Sequence, residues 1–374
     1  MATRWVIGTM TGTSLDALDA SLVRIEGEGV AMRVTLDRHA TTDLGPLRPR
    51  LRAACDGTPM SARDFAALAL DFGRLHADAI GRLAGTRRLD LVAVHGQTVT
   101  HAPPCSWQLV NPWPIALAAR CAVASDLRGA DLAAGGEGAP ITPLADFILF
   151  GGSRDRIVMN LGGFINATAV PARSEGVGAI RGFDACACNH LLDRVARARL
   201  GAGFDRDGAA AARGSCDHAI AQSISRAIAP ETPHGAPRRS LGTGDEAARL
   251  VERTATLAAD DACRTVVEAI ADAAMRVIEA EVPGPCRPLL IAGGSARNRA
   301  LQAALARRSG TEVRTTDESH GVPVHMREPA EIAILGALAD DGVRYSLPQV
   351  TGAASAVPES TLLEAGIPAE NGQV

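Results

Sequence analysis

The sequence predicts an α/β protein of two related domains, and three observations carry that reading. A length of 374 residues is large for one hydrophobic core. Apolar strand-like runs alternate with helix-like periodicity along the chain. A Gly-turn hairpin at 4–25 is repeated on the same plan at 156–170, which marks an internal duplication.

The first hairpin is "IGTMTGTSLDALDASLVRI", residues 7–25. Val6 and Ile7 enter as strand, and Leu18, Ala20, Leu22 and Ile25 leave with nearly period-two alternation. The Gly-rich segment between them is therefore a turn between strands, not a phosphate loop opening a helix. The chain also contains no lysine, because all 38 basic residues are arginine, so a Walker lysine is excluded. Phosphate here has to be held by backbone N–H groups, hydroxyls such as Thr11, Thr13 and Ser14, arginine, or a metal ion. Asp16 and Asp19 can hold magnesium through water, or serve as solvated, turn-capping carboxylates.

Ser61 to Leu83 reads as an amphipathic helix with Ser61 as N-cap and Phe65, Leu68, Phe72, Leu75, Ala79 and Leu83 at helical spacing. Residues 89–103 run as a buried strand broken at His95-Gly96. Residues 121–150 give a strand, a polar Gly-rich loop, and a helix opening near Pro143. After the second hairpin, a strand at 179–184 ends on Asp184, where a carboxylate can act as general base or cap the next helix; Asn189 can also cap it. Residues 287–305 read as strand, Gly293-Gly294, then a helix with Ser295 as N-cap. The Pro-, Gly- and Ala-rich tail after 347 ends loosely.

Other candidate residues carry two readings. His95, Gln97 and Arg128 leave buried strands, where polar groups either line a cleft or satisfy nearby backbone. A guanidinium is a natural clamp for carboxylate or phosphate, which favours Arg128. Glu328 and Glu331 read as first-turn residues of a helix, a place the dipole favours for acids without any ligand. Cys186 and Cys188 form a lone CxC without the second pair of a closed zinc site, so they read as buried thiols.

The net charge of -4 gives no pull toward nucleic acid or membrane, and no apolar run reaches spanning length. The opening residues enter a strand directly, with no leader, and eight irregularly spaced cysteines read as reduced cytoplasmic thiols.

Nine segments, "GTMTGTSLDALDA", "HGQTV", "SDLRGADLAAGGEGAP", "NLGGFINAT", "GFD", "DRDGAAA", "AGGSARN", "EPAEIAILGALA" and "LPQVTGA", together resemble the anhydro-N-acetylmuramic acid kinases. That family belongs to the actin, heat-shock ATPase and sugar kinase superfamily. The resemblance implies two related domains of the actin-like ATPase and sugar kinase type, 1–146 plus 336–374 and 147–335, with a nucleotide cleft between them. It makes Gly12, Thr13, Ser14, Leu15, Asp16, Ala17, Leu18 and Asp19 the first phosphate loop. Gly162 and Gly163 belong to the second phosphate loop, and Gly293, Gly294 and Asn298 to the nucleoside loop. Asp184 is the expected catalytic base, and His95, Gln97, Arg128, Glu328 and Glu331 the expected substrate-binding residues.

The implied reaction uses ATP and Mg2+ to open the 1,6-anhydro bridge of an amino sugar hydrolytically and phosphorylate its 6-oxygen. A small-molecule partner follows; the sequence does not decide between monomer and homodimer. Three departures stand out. Ala185-Cys186-Ala187-Cys188 replaces a family segment close to Thr-Gly-Pro-x, Asn111 stands where a glycine is usual, and Glu137 replaces a glutamine. The first leaves two other readings open: a kinase for another sugar or hydroxyl compound, and a catalytically weak nucleotide-binding relative.

Overall fold

The computed structural model describes residues 3–12, 14–229, 247–354 and 361–363. They divide into unit 1, Met1–Leu149 with Met326–Val374, and unit 2, Phe150–His325.

Unit 1 opens with β1 (Thr3–Thr11), β2 (Leu18–Glu26) and β3 (Arg33–Thr42), an antiparallel meander. Then come β4 (Leu91–Val94), a two-stranded ribbon of β5 (Gln97–Ala102) and β6 (Cys105–Leu109), and β7 (Ala122–Ser125). The main sheet runs β3-β2-β1-β4-β7, with β1, β4 and β7 parallel.

The Ala62–Ala84 helix packs on this sheet. Ser61 and Asp64 form a capping box at its start, and Leu68, Phe72, Ile80 and Leu83 are buried along one face. Burying each such side chain contributes roughly 1.5–3 kcal/mol.

A second helix, Arg327–Asp340, lies against β1 and β4. Two glycines permit the approach: a Cβ at Gly8 would stand 2.0 Å from the Pro329 carbonyl oxygen, and one at Gly336 would stand 2.5 Å from Ala93 Cβ. Because this helix is continuous and belongs wholly to unit 1, the chain returns there at Met326 rather than at residue 336.

Unit 2 repeats the plan. It consists of β8 (Arg156–Leu161), β9 (Phe164–Val170), β10 (Arg181–Ala187), β11 (Leu289–Ala292) and β12 (Val313–Thr315). The order β10-β9-β8-β11-β12 joins an antiparallel meander to three parallel strands, as in unit 1. Its core is filled by the Ala259–Glu281 helix, whose Val266, Val267, Ile270 and Ala274 are fully buried. The last described strand, β13 (Thr361–Leu363), adds antiparallel to β7 of unit 1. Both units are thus built on one α/β plan. No described helix is long and apolar enough to cross a membrane.

Three local expectations are corrected. Strand β10 runs through Asp184 to Ala187, because Ala185, Cys186 and Ala187 are small, apolar and buried in the unit 2 core. Asn189 is the first residue of the Asn189–Leu200 helix, not its cap; Cys188 stands at the cap position. Ser295 lies inside a single 3-10 turn, Gly294–Arg297, and Asn298 caps the Arg299–Ser309 helix, accepting from Leu301 N at 3.0 Å.

Candidate active site

In unit 1 the candidate side chains gather where β1, β4 and β7 end, the edge at which open α/β sheets bind ligands. Thr11 closes β1, His95 follows β4, Gln97 opens β5, and Arg128 lies three residues beyond β7. His95 N donates to the Thr9 carbonyl at 3.0 Å, which carries the β1–β4 pairing past the strand end. Arg128 Nε donates to His95 Nε2 at 3.1 Å, and its Nη1 donates to the Gly138 carbonyl at 2.6 Å. Burial, with the Arg128 charge adding to it, pushes His95 down to about 3, so the ring is neutral at physiological pH. A neutral ring that accepts at Nε2 carries its proton on Nδ1.

That Nδ1 meets no partner at hydrogen-bond geometry among the described residues, although buried. The same holds for Thr11 Oγ1 and for Gln97 Oε1, whose amide nitrogen donates to the Thr98 carbonyl at 3.2 Å and to Cys55 Sγ at 3.6 Å. Buried polar atoms are normally satisfied, so an acceptor on Gln97 and a hydroxyl on Thr11 left open at one sheet edge, beside a neutral His95 ring that the Gly96 backbone also engages, fit a polyhydroxylated ligand.

The two glutamates separate. Glu328 is half-buried, and burial raises its carboxyl pKa, with Asp19 and Asp146 raising it further and Arg327 and Arg128 opposing. Glu331 sits one turn deeper than a first-turn residue and is fully buried, so helix-dipole placement does not account for it. Arg327 Nε and Nη2 donate to Asp146 Oδ1 and Oδ2 at 3.0 and 2.6 Å; Nε also lies 2.8 Å from Glu331 Oε1, an ion pair without hydrogen-bond alignment. Burial drives Glu331 well above the usual carboxylate range despite Arg327. Nothing in the sequence pattern singles out Asp146 or Arg327, since a buried ion pair between distant positions has no local signature.

The segment expected to form the first phosphate loop is a strained turn with an apolar anchor. Leu15 has φ 58° and donates its N–H to the Gly12 carbonyl at 3.0 Å, while its side chain is buried beside Leu18, Leu44, Leu51 and Phe72. Leu18 is already part of β2. Leu15 and Leu18 therefore face the core and not a ligand; only their backbone is available to phosphate. Ser14 and Asp16 are exposed, Ala17 is half-buried, and Thr13 lies outside the described residues. Arg52 and Arg48 donate to the Ser14 and Asp16 carbonyls respectively. A Cβ at Gly12 would meet only Ser14 Oγ, at 3.7 Å, so that backbone is open to a close approach.

Asp19 accepts from Thr41 Oγ1 at 2.6 Å. Among the described residues no group of three metal-ligating side chains occurs. A magnesium ion that keeps most of its water needs only one or two carboxylates besides phosphate, which Asp16 and Asp19 can supply.

In unit 2 the segment expected as second phosphate loop follows β8, and the one expected as nucleoside loop follows β11, its parallel neighbour. Gly293 has φ 87°, and a Cβ there would lie 2.6 Å from Asn160 Oδ1, so the backbone contact between the two loops requires glycine. A Cβ at Gly163 would lie 2.5 Å from His190 Nε2, whereas Gly162 and Gly294 have more room. Asn298 is buried with its oxygen committed to the helix cap.

Asp184 is half-buried on β10 at an irregularity between Asp184 and Cys186, and Asn166 Nδ2 donates to its Oδ1 at 3.4 Å. It stands four residues before the helix cap at Cys188, which removes the capping explanation for this carboxylate. Cys186 and Cys188 are buried, neither forms a disulfide, and burial pushes the Cys188 thiol up to about 12. Cys186 is a packing residue of the unit 2 core, as the isolated CxC suggests, and the protonated Cys188 thiol lies beside the Ser295 and Asn189 side chains.

Comparison with known proteins matches residues 4–365 to the family model described as Anhydro-N-acetylmuramic acid kinase. A Bordetella avium protein of that name is 34% identical over 361 residues, covering 94% of this chain and 93% of its own. One from Gloeobacter violaceus is 33% identical, covering 96% and 98%, and one from Xanthomonas campestris pv. campestris is 35% identical, covering 93% and 94%.

Proposed function

The chain belongs to the anhydro-N-acetylmuramic acid kinase family, and from that membership we propose an ATP-dependent phosphotransferase of 1,6-anhydro-N-acetylmuramic acid. The product is N-acetylmuramic acid 6-phosphate, which places the enzyme in the recycling of cell-wall sugar in the cytoplasm. The observation that carries the reading is the pair of open polar atoms on Thr11 and Gln97 beside the neutral His95 ring at one sheet edge of unit 1. It is joined by a non-capping carboxylate, Asp184, at an irregular point of the corresponding meander in unit 2.

The chemistry follows from these groups. Asp184 takes a proton from a water molecule whose oxygen bonds to the anomeric carbon. The bond from that carbon to the bridging 6-oxygen breaks, and its electron pair passes to the oxygen, which bonds to the γ-phosphorus of ATP as ADP leaves. The departing oxygen is thus stabilised by phosphoryl transfer, so a second carboxylic acid is not needed to protonate it.

His95 Nδ1–H donates to, and Gln97 Oε1 accepts from, hydroxyl or amide groups of the sugar; Arg128 fixes the His95 tautomer and provides the positive charge for its carboxylate. Gly12 and Gly163 bring backbone N–H groups to the phosphates, while the Gly162 N–H holds the turn by donating to the Phe164 carbonyl at 3.2 Å; the phosphate contacts supply stabilisation that a lysine gives elsewhere. Magnesium held through Asp16 and Asp19 would neutralise the phosphate charge when bound.

The test is incubation with ATP, Mg2+ and the anhydro sugar in 18O-water. The proposed reaction puts the label on the anomeric oxygen and none on the new phosphate. Label in the phosphate, or no sugar phosphate at all, overturns the assignment.

A further inference from the structure

Widely separated segments of unit 2 converge on Asn189. Its backbone N–H donates to the Gly162 carbonyl at 3.0 Å, and the preceding Cys188 N–H donates to the Gly163 carbonyl at 2.9 Å. These bonds tie the end of β10 to the second phosphate loop. On the side chain, the Ser295 hydroxyl donates to Asn189 Oδ1 in a short contact, the Cys188 thiol donates to the same oxygen at 3.7 Å, and Nδ2 donates to the Leu161 carbonyl at 3.5 Å. The amide is thereby oriented with its oxygen toward two donors and its nitrogen toward a carbonyl. A Cβ at Gly294 would stand 3.4 Å from Nδ2, so the amide also lies against the nucleoside-loop backbone.

Asp184 is on the strand that Asn189 terminates. Between them lie Ala185, Cys186, Ala187 and Cys188, all buried and without proline or hydroxyl. Apolar packing fixes their side chains, but the direction in which the segment leaves the strand is set by the hydrogen bonds at its end.

We infer that Asn189 is a positioning residue that latches the nucleoside loop, through Ser295, to the second phosphate loop and to the strand of Asp184. Nucleotide binding and placement of the base are coupled through this one amide. The inference rests on the kinase reading for the roles of the loops, and it assigns a residue that capping propensity alone explains only as a helix start.

The test is a double-mutant cycle of Asn189→Ala and Ser295→Ala, with Ser295→Thr as conservative rescue. ATP affinity is measured by calorimetry with magnesium present, beside kcat and KM for both substrates and a melting curve. A hydrogen bond of this kind corresponds to a loss of roughly three- to tenfold in affinity. Each single variant is expected to weaken ATP binding by that factor and to lower kcat, with the KM for the sugar unchanged. The double variant should be no worse than the more damaging single variant, and Ser295→Thr should recover most of the affinity.

Losses that multiply in the double variant, or single variants that bind and turn over like the parent, overturn the latch. If Asn189→Ala does not fold, the Ser295→Ala and Ser295→Thr pair decides alone. A parent enzyme that binds ATP but leaves the anhydro sugar unchanged refutes the substrate assignment, and the affinity cycle still scores the latch.

Discussion

Replacing Arg327 with Met should destabilise unit 1 in a pH-dependent way. In the native protein Arg327 is 4% exposed and its partners Asp146 and Glu331 are 0% exposed, with three contacts of 2.6–3.0 Å between them. Removing one partner of a buried pair leaves the other charge without compensation and typically costs about 3–5 kcal/mol. All three tryptophans, Trp5, Trp107 and Trp113, lie in unit 1, so urea unfolding followed by tryptophan fluorescence reads this unit. With a denaturant slope of about 2 kcal/mol/M, the midpoint should fall by about 1.5–2.5 M.

The sign of the pH effect follows from Glu331. Burial already raises it, and losing Arg327 raises it further. A carboxyl group raised on folding adds stability that is present below its unfolded value, about 4, and lost as pH climbs through the folded value. The deficit relative to the parent should therefore be smaller at pH 5 than at pH 8. A midpoint shift below about 0.5 M, or an equal deficit at both pH values, refutes the argument. Converting all three positions to apolar residues should recover much of the loss, since well-packed hydrophobic groups often replace a buried ion pair without penalty.

Gly12→Val should keep the parent melting temperature, because its Cβ has room, yet weaken ATP binding; unchanged calorimetric affinity would reduce the loop to a simple turn. Gly163→Val is a poorer probe, since its Cβ meets the His190 ring, and a lowered melting temperature should accompany its loss of ATP affinity. Burial holds His76 and His95 at about 3, so their contribution to stability is present above 6.5 and is lost as pH falls. Each accounts for about 1.4 kcal/mol per pH unit below 6.5, which puts the drop from pH 7.5 to 5.5 at about 3 kcal/mol; a flat fluorescence-monitored stability over that range would contradict it. Asp184→Asn should fold and bind both substrates but lose ~10²–10⁴-fold in kcat, and a steady-state rate near that of the parent removes Asp184 from the mechanism.

The fold is legible in the sequence because its signals are local. Apolar runs around a glycine cluster, with near period-two alternation leaving the first one, identify β1–β2 and β8–β9, and Ser61 marks a helix start. The recurrence of one hairpin plan exposes the duplication that the two strand orders display. The glycines of the site are legible for the same reason, whereas what each one meets is not. Gly12 has room around it and Gly293 faces Asn160, a difference created by tertiary approach and absent from the string GG or GT. Buried pairing is hidden entirely: Asp146 and Arg327 are 181 residues apart, and each alone reads as an ordinary helix residue.

The segment after Asp184 shows why the errors fall where they do. A general acid–base carboxylate followed by a helix start invites the reading of strand end, loop, cap. In this chain the residues that follow are too small and apolar to remain in a loop, so the strand extends through Ala187 and the cap moves to Cys188. The same shift that defeats the propensity reading places Asn189 one residue inside the helix. There its amide is no longer needed by the helix and turns to Ser295 and Leu161. Restoring the family-like Thr-Gly-Pro at 185–187 in place of Ala-Cys-Ala should therefore shorten β10, remove Cys186 from the core and lower the melting temperature, because a buried apolar side chain and strand pairing are lost together. A variant with unchanged melting and an unchanged response to Ser295→Ala would show that the extended strand does not set the position of Asn189.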